Sequence, residues 1–154
     1  MGIAAVIEFR NARIEDLPAI VALLADDALG AARESGSDLA PYQTAFAALT
    51  AQKGNAIIVG DDGSEIVACL QLTVVPGLSR RGATRAFIEG VRVASSRRGQ
   101  KIGEAIVEHA VARARAAGCR LVQLTSDKSR LDAHRFYERL GFKATHVGMK
   151  LELA

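Results

Sequence analysis

Hydrophobic and polar positions along this chain change period several times, and each change marks a predicted element. Val6 to Arg10 reads as a first strand. Arg13 to Pro18 starts a helix, with acids and an early proline where a first turn tolerates them. Ala19 to Ala25 continues it, with Ile20, Leu23 and Leu24 as its apolar face. Asp26 to Ala40, rich in alanine, glycine and serine, predicts a second helical region interrupted by loop. Pro41 to Gln52 predicts a helix that turns Phe46 and Leu49 inward and stops at Gly54. Two apolar runs, Asn55–Gly60 and Glu65–Val75, flank Asp61-Asp62-Gly63-Ser64, which predicts a hairpin. Pro76 to Thr84 is a polar, glycine-bearing loop before a strand from Arg85 to Val93, whose β-branched and charged residues nearly alternate.

A glycine-containing turn follows, and from Ile102 the spacing becomes helical. Ile102, Ile106, Val107, Ala110, Ala114 and Ala117 share one face, with Glu104, Glu108 and Arg115 opposite. Gly118 closes that helix, and Leu121 to Thr125 predicts a buried strand. Ser126 to Leu131 is a polar loop, and Asp132 to Leu140 is a helix ended by Gly141. Phe142 to Leu153 predicts one or two last strands. Together these elements predict an α/β fold, a mixed and largely antiparallel sheet with helices on both faces.

Length and composition narrow the class. The chain of 154 residues fits one domain, 1–154, with no repeat, linker or low-complexity tract. With 49% hydrophobic and 24% charged residues it is globular rather than disordered. No apolar run approaches the roughly 18 residues that cross a bilayer. Met1 to Val6 lacks the basic region of a signal peptide and the Ser/Thr that myristoylation wants after Gly2. Cys69 and Cys119 fall in core-like segments without paired spacing, as free thiols in a reducing compartment would. These observations predict a cytoplasmic protein with no membrane partner.

The net charge of +3 is modest, but its distribution is uneven. Arg80, Arg81, Arg85, Arg92, Arg97, Arg98 and Lys101 fall in one stretch, opposed there only by Glu89. Such a stretch suits nucleic acid, a membrane surface or a compact polyanion. Only Phe87 interleaves it, which weighs against a single-stranded nucleic-acid platform. Arg97, Arg98 and Lys101 also crowd a helix N-terminus, where about half a positive charge already resides. Charge pattern alone leaves two readings open: a phosphate seated among free N–H groups, or a solvated arginine-rich turn. His109, His134 and His146 are scattered, so no metal site is expected, and no P-loop, dinucleotide fingerprint or C-x-x-C occurs.

Two motifs carry a resemblance. Arg98-Gly99-Gln100-Lys101-Ile102-Gly103 is similar to the acyl-CoA-binding signature R/Q-x-x-G-x-G/A of the GNAT N-acetyltransferase superfamily, with Lys101 at the first signature glycine. Ala133-His134-Arg135-Phe136-Tyr137-Glu138-Arg139-Leu140-Gly141-Phe142 is similar to its other hallmark, A-x-x-F-Y-x-x-x-G-F. Arg130 stands where relatives usually carry Asn. The resemblance implies a GNAT-like acyl-CoA N-acyltransferase fold and acetyl-CoA as co-substrate, with no metal. It implies a small-molecule or protein amine as acceptor, no nucleic acid, and a possible homodimer.

The resemblance also implies roles. Val91, Arg92 and Val93 on the strand would bind the thioester and pantetheine, a backbone N–H there meeting the oxyanion. Arg98, Gly99, Gln100, Lys101, Ile102, Gly103 and Glu104 would surround the diphosphate, with Arg130 near the phosphates. Tyr137 would face the departing sulfur and also touch the cofactor. Removing a proton from an alkylamine at pH 7 costs about 4–5 kcal/mol, so a base is required. Glu89, flanked by Ile88 and Val91, is the candidate, expected to be partly desolvated. Pairing of Glu89 with Arg85 or Arg92, and a packing role for Tyr137, are the plainer alternatives. Asp127 is a further candidate to contact the amine. A non-catalytic acyl-CoA-binding regulatory module is the alternative function.

Overall fold

The computed structural model describes residues 6–154. The chain runs β1 (Glu8–Asn11), α1 (Leu17–Ala25), α2 (Ala28–Ala31), α3 (Ala40–Ala51), β2 (Asn55–Asp61), β3 (Ile66–Val75), a single turn α4 (Ser79–Gly82), β4 (Arg85–Val93), α5 (Ile102–Ala116), β5 (Leu121–Leu124) and α6 (Leu131–Arg139). The five strands form one sheet in the order β1-β2-β3-β4-β5, each beside its neighbour in sequence. The first three pairings are antiparallel.

Both faces of that sheet are covered. In the hairpin, Ile58 lies opposite Leu70 and Val59 opposite Cys69. Neighbouring residues point to opposite faces, yet all four are at most 2% exposed. α1 closes one face by packing Ile20 and Leu23 on Val59 and Cys69. α5 lies along β2, β3 and β4 on the other and buries Ile102, Ile106, Val107, Ala110 and Ala114, five of the six residues its periodicity predicts. Ala117, the sixth, follows the last turn and is exposed. Each fully buried Ile, Leu or Val contributes about 1.5–3 kcal/mol, so this double layer is what holds β4 in place.

The start of the chain is fastened by charge. Arg10 on β1 bonds Asp16 at 2.8 Å and Asp61 at the end of β2 at 2.9 Å, with the first two side chains no more than 15% exposed. Hydrogen bonds from Arg10 hold the Asp16 carboxyl below its ordinary range. Asp61 is held low first by the Gly63 N–H and then by Arg10.

Three expectations are corrected. The first strand lies at Glu8–Asn11, not Val6–Arg10. Phe142 to Leu153 forms no strand, because strand structure requires a laddered neighbour and these residues have none among the described residues. The helical region predicted between Asp26 and Ala40 condenses to the single turn α2, started by the Asp27 carboxylate accepting the Gly30 N–H at 2.6 Å. The chain divides into two compact units, one ending at Gln123 and one spanning Leu124–Ala154. No helix among the described residues is long and apolar enough to cross a membrane.

Candidate active site

Strand β4 is irregular where the basic stretch begins to matter. Glu89 pairs with Gln71 and Arg92 with Cys69, so Gly90 and Val91 stand against Leu70 alone. One extra residue in β4 makes a β-bulge, which bends the strand and leaves a backbone group out of the ladder. Gly90 accommodates it at φ +62, a conformation open to glycine without a Cβ penalty. The bulge therefore breaks the regular pairing of the ladder beside Val91, on the strand where an oxyanion donor is expected. Nothing in the sequence beyond Gly90 itself signals it.

From β4 the chain passes through a 3-10 turn, Ser95–Arg97, into the start of α5. Gly99 at φ 78 and Lys101 at φ 61 both adopt left-handed backbone, which folds the intervening peptides into a concave turn. Lys101 is the helix N-cap residue and its side chain makes no capping bond. The N–H groups of residues 99–104 have no backbone or side-chain acceptor among the described residues. Those open donors at the positive end of a 15-residue helix are what an anion requires. Lys101 occupies the signature-glycine position in a backbone conformation that glycine adopts at lower cost.

The three cations of this turn are not equivalent. Arg97 pairs with Asp62, in the β2–β3 turn, at 2.5 Å and donates to the Gln100 side chain at 3.2 Å. Asp62 is only 6% exposed at its side chain. It is held far below the usual carboxylate range, first by the Glu65 and Ser64 N–H groups and then by Arg97. Arg98 donates to the Asp26 carbonyl at 3.1 Å, and Asp26 in turn accepts the Ser95 N–H at 3.0 Å. Lys101 is exposed and has no acidic partner among the described residues. A cleft of about 640 Å³ opens at this turn, lined by Phe9, Arg97, Gln100, Lys101, Ile102 and Ala105.

The remaining predicted residues separate into two groups. Glu89 is exposed, so the partial desolvation expected for it is absent. It does not pair with either arginine: Arg85 reaches Gln123 at 3.4 Å, and Arg92 lies 3.4 Å from Asp27 and donates to the Val91 carbonyl. Val91 and Val93 are half-buried. Tyr137, on α6 in the second unit, is half-buried and stacks edge-on against Phe136 and Phe142 at centroid distances of 5.1 and 5.8 Å. Arg130 is the N-cap residue of α6. Asp127 accepts the Ser129 N–H and hydroxyl at 2.9 and 2.6 Å, which closes a local turn. Among the described residues no cluster of His, Cys, Asp and Glu has the makings of a metal site.

Comparison with known proteins bears on this geometry. Residues 17–142 match the acetyltransferase (GNAT) family. Aminoalkylphosphonate N-acetyltransferase of Salmonella typhimurium is 30% identical over 141 residues, 92% of this chain and 88% of that protein. Glucosamine 6-phosphate N-acetyltransferase of Trypanosoma brucei brucei is 36% identical over 88 residues, 57% of this chain and 58% of that one. A crystal structure of a transcriptional regulator from Bacillus halodurans C-125 superposes with a TM-score of 0.92 at 47% identity, covering 96% of this chain and all of the other.

Proposed function

This chain belongs to the acetyltransferase (GNAT) family, and from that premise we propose direct acetyl transfer from acetyl-CoA to a primary amine that also carries a phosphate or phosphonate group. That it is an acetyl-CoA-dependent N-acetyltransferase follows from the family; the mode of transfer and the acceptor are the proposal. The observation that carries the cofactor half is the set of unpartnered N–H groups at residues 99–104. They are suited to hold the diphosphate of coenzyme A, with Lys101 supplying the exposed cation. The side chains of Arg97 and Arg98 act differently, tying the turn to Asp62 and Asp26. This preorganises the backbone donors without spending those charges on the ligand.

In the transfer, the acceptor amine arrives protonated and must lose its proton. Glu89, on β4 immediately before the bulge, is assigned as the group that takes it, directly or through water. A backbone N–H of β4 at the bulge is assigned to the oxygen of the tetrahedral adduct, which gains charge as the amine attacks. Tyr137 is assigned the departing sulfur. Full proton transfer from a phenol near pKa 10 to a thiolate near 8.5 is uphill by about 2 kcal/mol, so Tyr137 acts by hydrogen bonding as the C–S bond breaks.

The acceptor half rests on two supports. Both curated relatives are named for amines bearing a phosphorus oxyanion. Arg85 lies on the same face of β4 as Glu89, against Phe87 at 5.8 Å, and its buried Nε has no partner among the described residues. An unsatisfied guanidinium N–H is costly unless a ligand completes it. The test is a thiol-release assay with acetyl-CoA and paired acceptors, 2-aminoethylphosphonate against ethanolamine and glucosamine 6-phosphate against glucosamine. We expect kcat/KM at least tenfold higher for one phosphorus-bearing member of a pair. Equal turnover within both pairs sinks the anionic acceptor, and no thiol release with any amine sinks the catalytic reading.

A further inference from the structure

The loop between β3 and β4 holds two arginines to which the transfer steps give no task. Arg80 and Arg81, in the single turn α4, are exposed and take left-handed backbone at φ 52 and 60, with Gly82 following at φ 74. Left-handed backbone costs a residue with a Cβ free energy that glycine is spared. Two such residues in succession persist only where their surroundings hold them, and strain of this kind gathers at ligand clamps. Here the turn is closed by its own backbone. The Gly82 N–H donates to the Leu78 carbonyl at 2.9 Å and the Ala83 N–H to the Ser79 carbonyl at 3.1 Å. Ala83, buried at 3% exposure, anchors the turn to the core. Neither arginine has an acidic partner among the described residues.

The turn lies beside Arg85. A Cβ on Gly82 would stand 3.9 Å from the Gly77 carbonyl, and a Cβ on Gly77 would stand 3.8 Å from Arg85 Nη2. Gly77 therefore neighbours both the arginine turn and the Arg85 guanidinium, which brings three cations to one end of β4. Arg85 itself reaches only the Gln123 side chain, at 3.4 Å, and leaves its buried Nε without a partner. Like charges gathered in this way repel one another until a dianion enters, and guanidinium forks match the oxygens of a phosphate or phosphonate. Glu89 lies four positions further along the same face of β4, in unbroken register with β3. We propose that Arg80 and Arg81 bind the phosphorus oxyanion of the acceptor together with Arg85, while its amine meets Glu89; this rests on the anionic acceptor proposed above.

Glycine variants and paired acceptors test it. Arg80→Gly, Arg81→Gly and the double variant suit the left-handed turn, so their urea midpoints should not fall below that of the unmodified chain. Thiol release is measured with glucosamine 6-phosphate against glucosamine and with 2-aminoethylphosphonate against ethanolamine. In the double variant the preference for the phosphorus-bearing member should shrink about tenfold, with the loss in acceptor KM rather than in kcat. Inorganic phosphate, competing with the acceptor, should inhibit that variant about tenfold less well. Arg81→Lys should keep part of the preference, because an ammonium retains the charge without the fork. A preference that survives the double variant but is lost in Arg85→Ala overturns the role of the loop and leaves the anionic acceptor standing. Equal losses for both members of a pair overturn it as well, since the turn then serves the fold alone. An unmodified chain without the preference overturns the loop's role and the anionic acceptor together.

Discussion

At the scale of single residues, the most informative position is Lys101. Its backbone is left-handed at φ 61, which costs a non-glycine residue about 1–2 kcal/mol. Glycine avoids that cost but loses about 0.5–1 kcal/mol through unfolded-chain entropy. Lys101→Gly should therefore stabilise the chain slightly, by about 0.5 kcal/mol in urea unfolding. If the lysine ammonium serves the diphosphate, the same change should weaken coenzyme A binding several-fold by calorimetry, more at low salt than at high. A gain in both stability and affinity would remove Lys101 from the binding role. Tyr137 gives a complementary test, because its hydroxyl is assigned to the leaving sulfur rather than to ground-state binding. Tyr137→Phe keeps the ring stacked on Phe136 and Phe142 and should lower kcat by about 10²-fold, with little change in KM for acetyl-CoA. An unchanged kcat would leave Tyr137 with its packing role.

At the scale of elements, what could be read from the sequence depended on whether a signal was local. The hairpin of β2 and β3, the bounds of β4 and the buried face of α5 were legible because their hydrophobic period repeats over seven or more residues. The last predicted strand had an equally regular period, but a strand also needs a neighbour, which one chain's pattern does not supply. The bulge in β4 was illegible for a related reason. It is a mismatch in register between two strands, visible only when Glu89 and Arg92 are set against Gln71 and Cys69. Gly90 is the residue that permits it, and a Cβ there would meet Leu24 Cδ2 at 3.6 Å, an ordinary contact. The cost of Gly90→Ala is thus conformational, about 1–2 kcal/mol from its positive φ. Because the chain can relieve that cost by flattening the bulge, activity should fall further than stability. Comparing kcat/KM with the urea midpoint for this variant separates the two; a parallel loss would mean that the bulge only supports the fold.

At the scale of the whole molecule, charge pairs between distant segments set the stability window, and these too lay beyond sequence spacing. Arg10 meets Asp61 across 51 positions, and Arg97 meets Asp62 across 35. Asp16, Asp61 and Asp62 all have folded-state pKa values below their ordinary range. The unfolded chain therefore takes up protons first as pH falls. Their contribution is fully present above about pH 5 and is lost progressively below about pH 4. Cys69 sets the other edge: burial pushes its thiol up to about 12. The unfolded thiol releases its proton near 8.5, so its contribution is present below that pH and declines as pH rises toward 12. Urea midpoints should form a plateau between about pH 5 and 8, falling on both sides. Arg10→Met should lower the plateau by about 2 kcal/mol, less than for a fully buried pair because the Arg10 side chain keeps 15% exposure. It should also flatten the acid limb, since Asp16 then loses the main cause of its low pKa. Cys69→Ala should remove the steepest part of the alkaline limb and leave the acid limb unchanged. An acid limb as steep in Arg10→Met as in the unmodified chain would mean that Arg10 and Asp16 are not coupled in solution. The joining of β1 to the turn before α1 and to the end of β2 would then have to rest on backbone pairing alone.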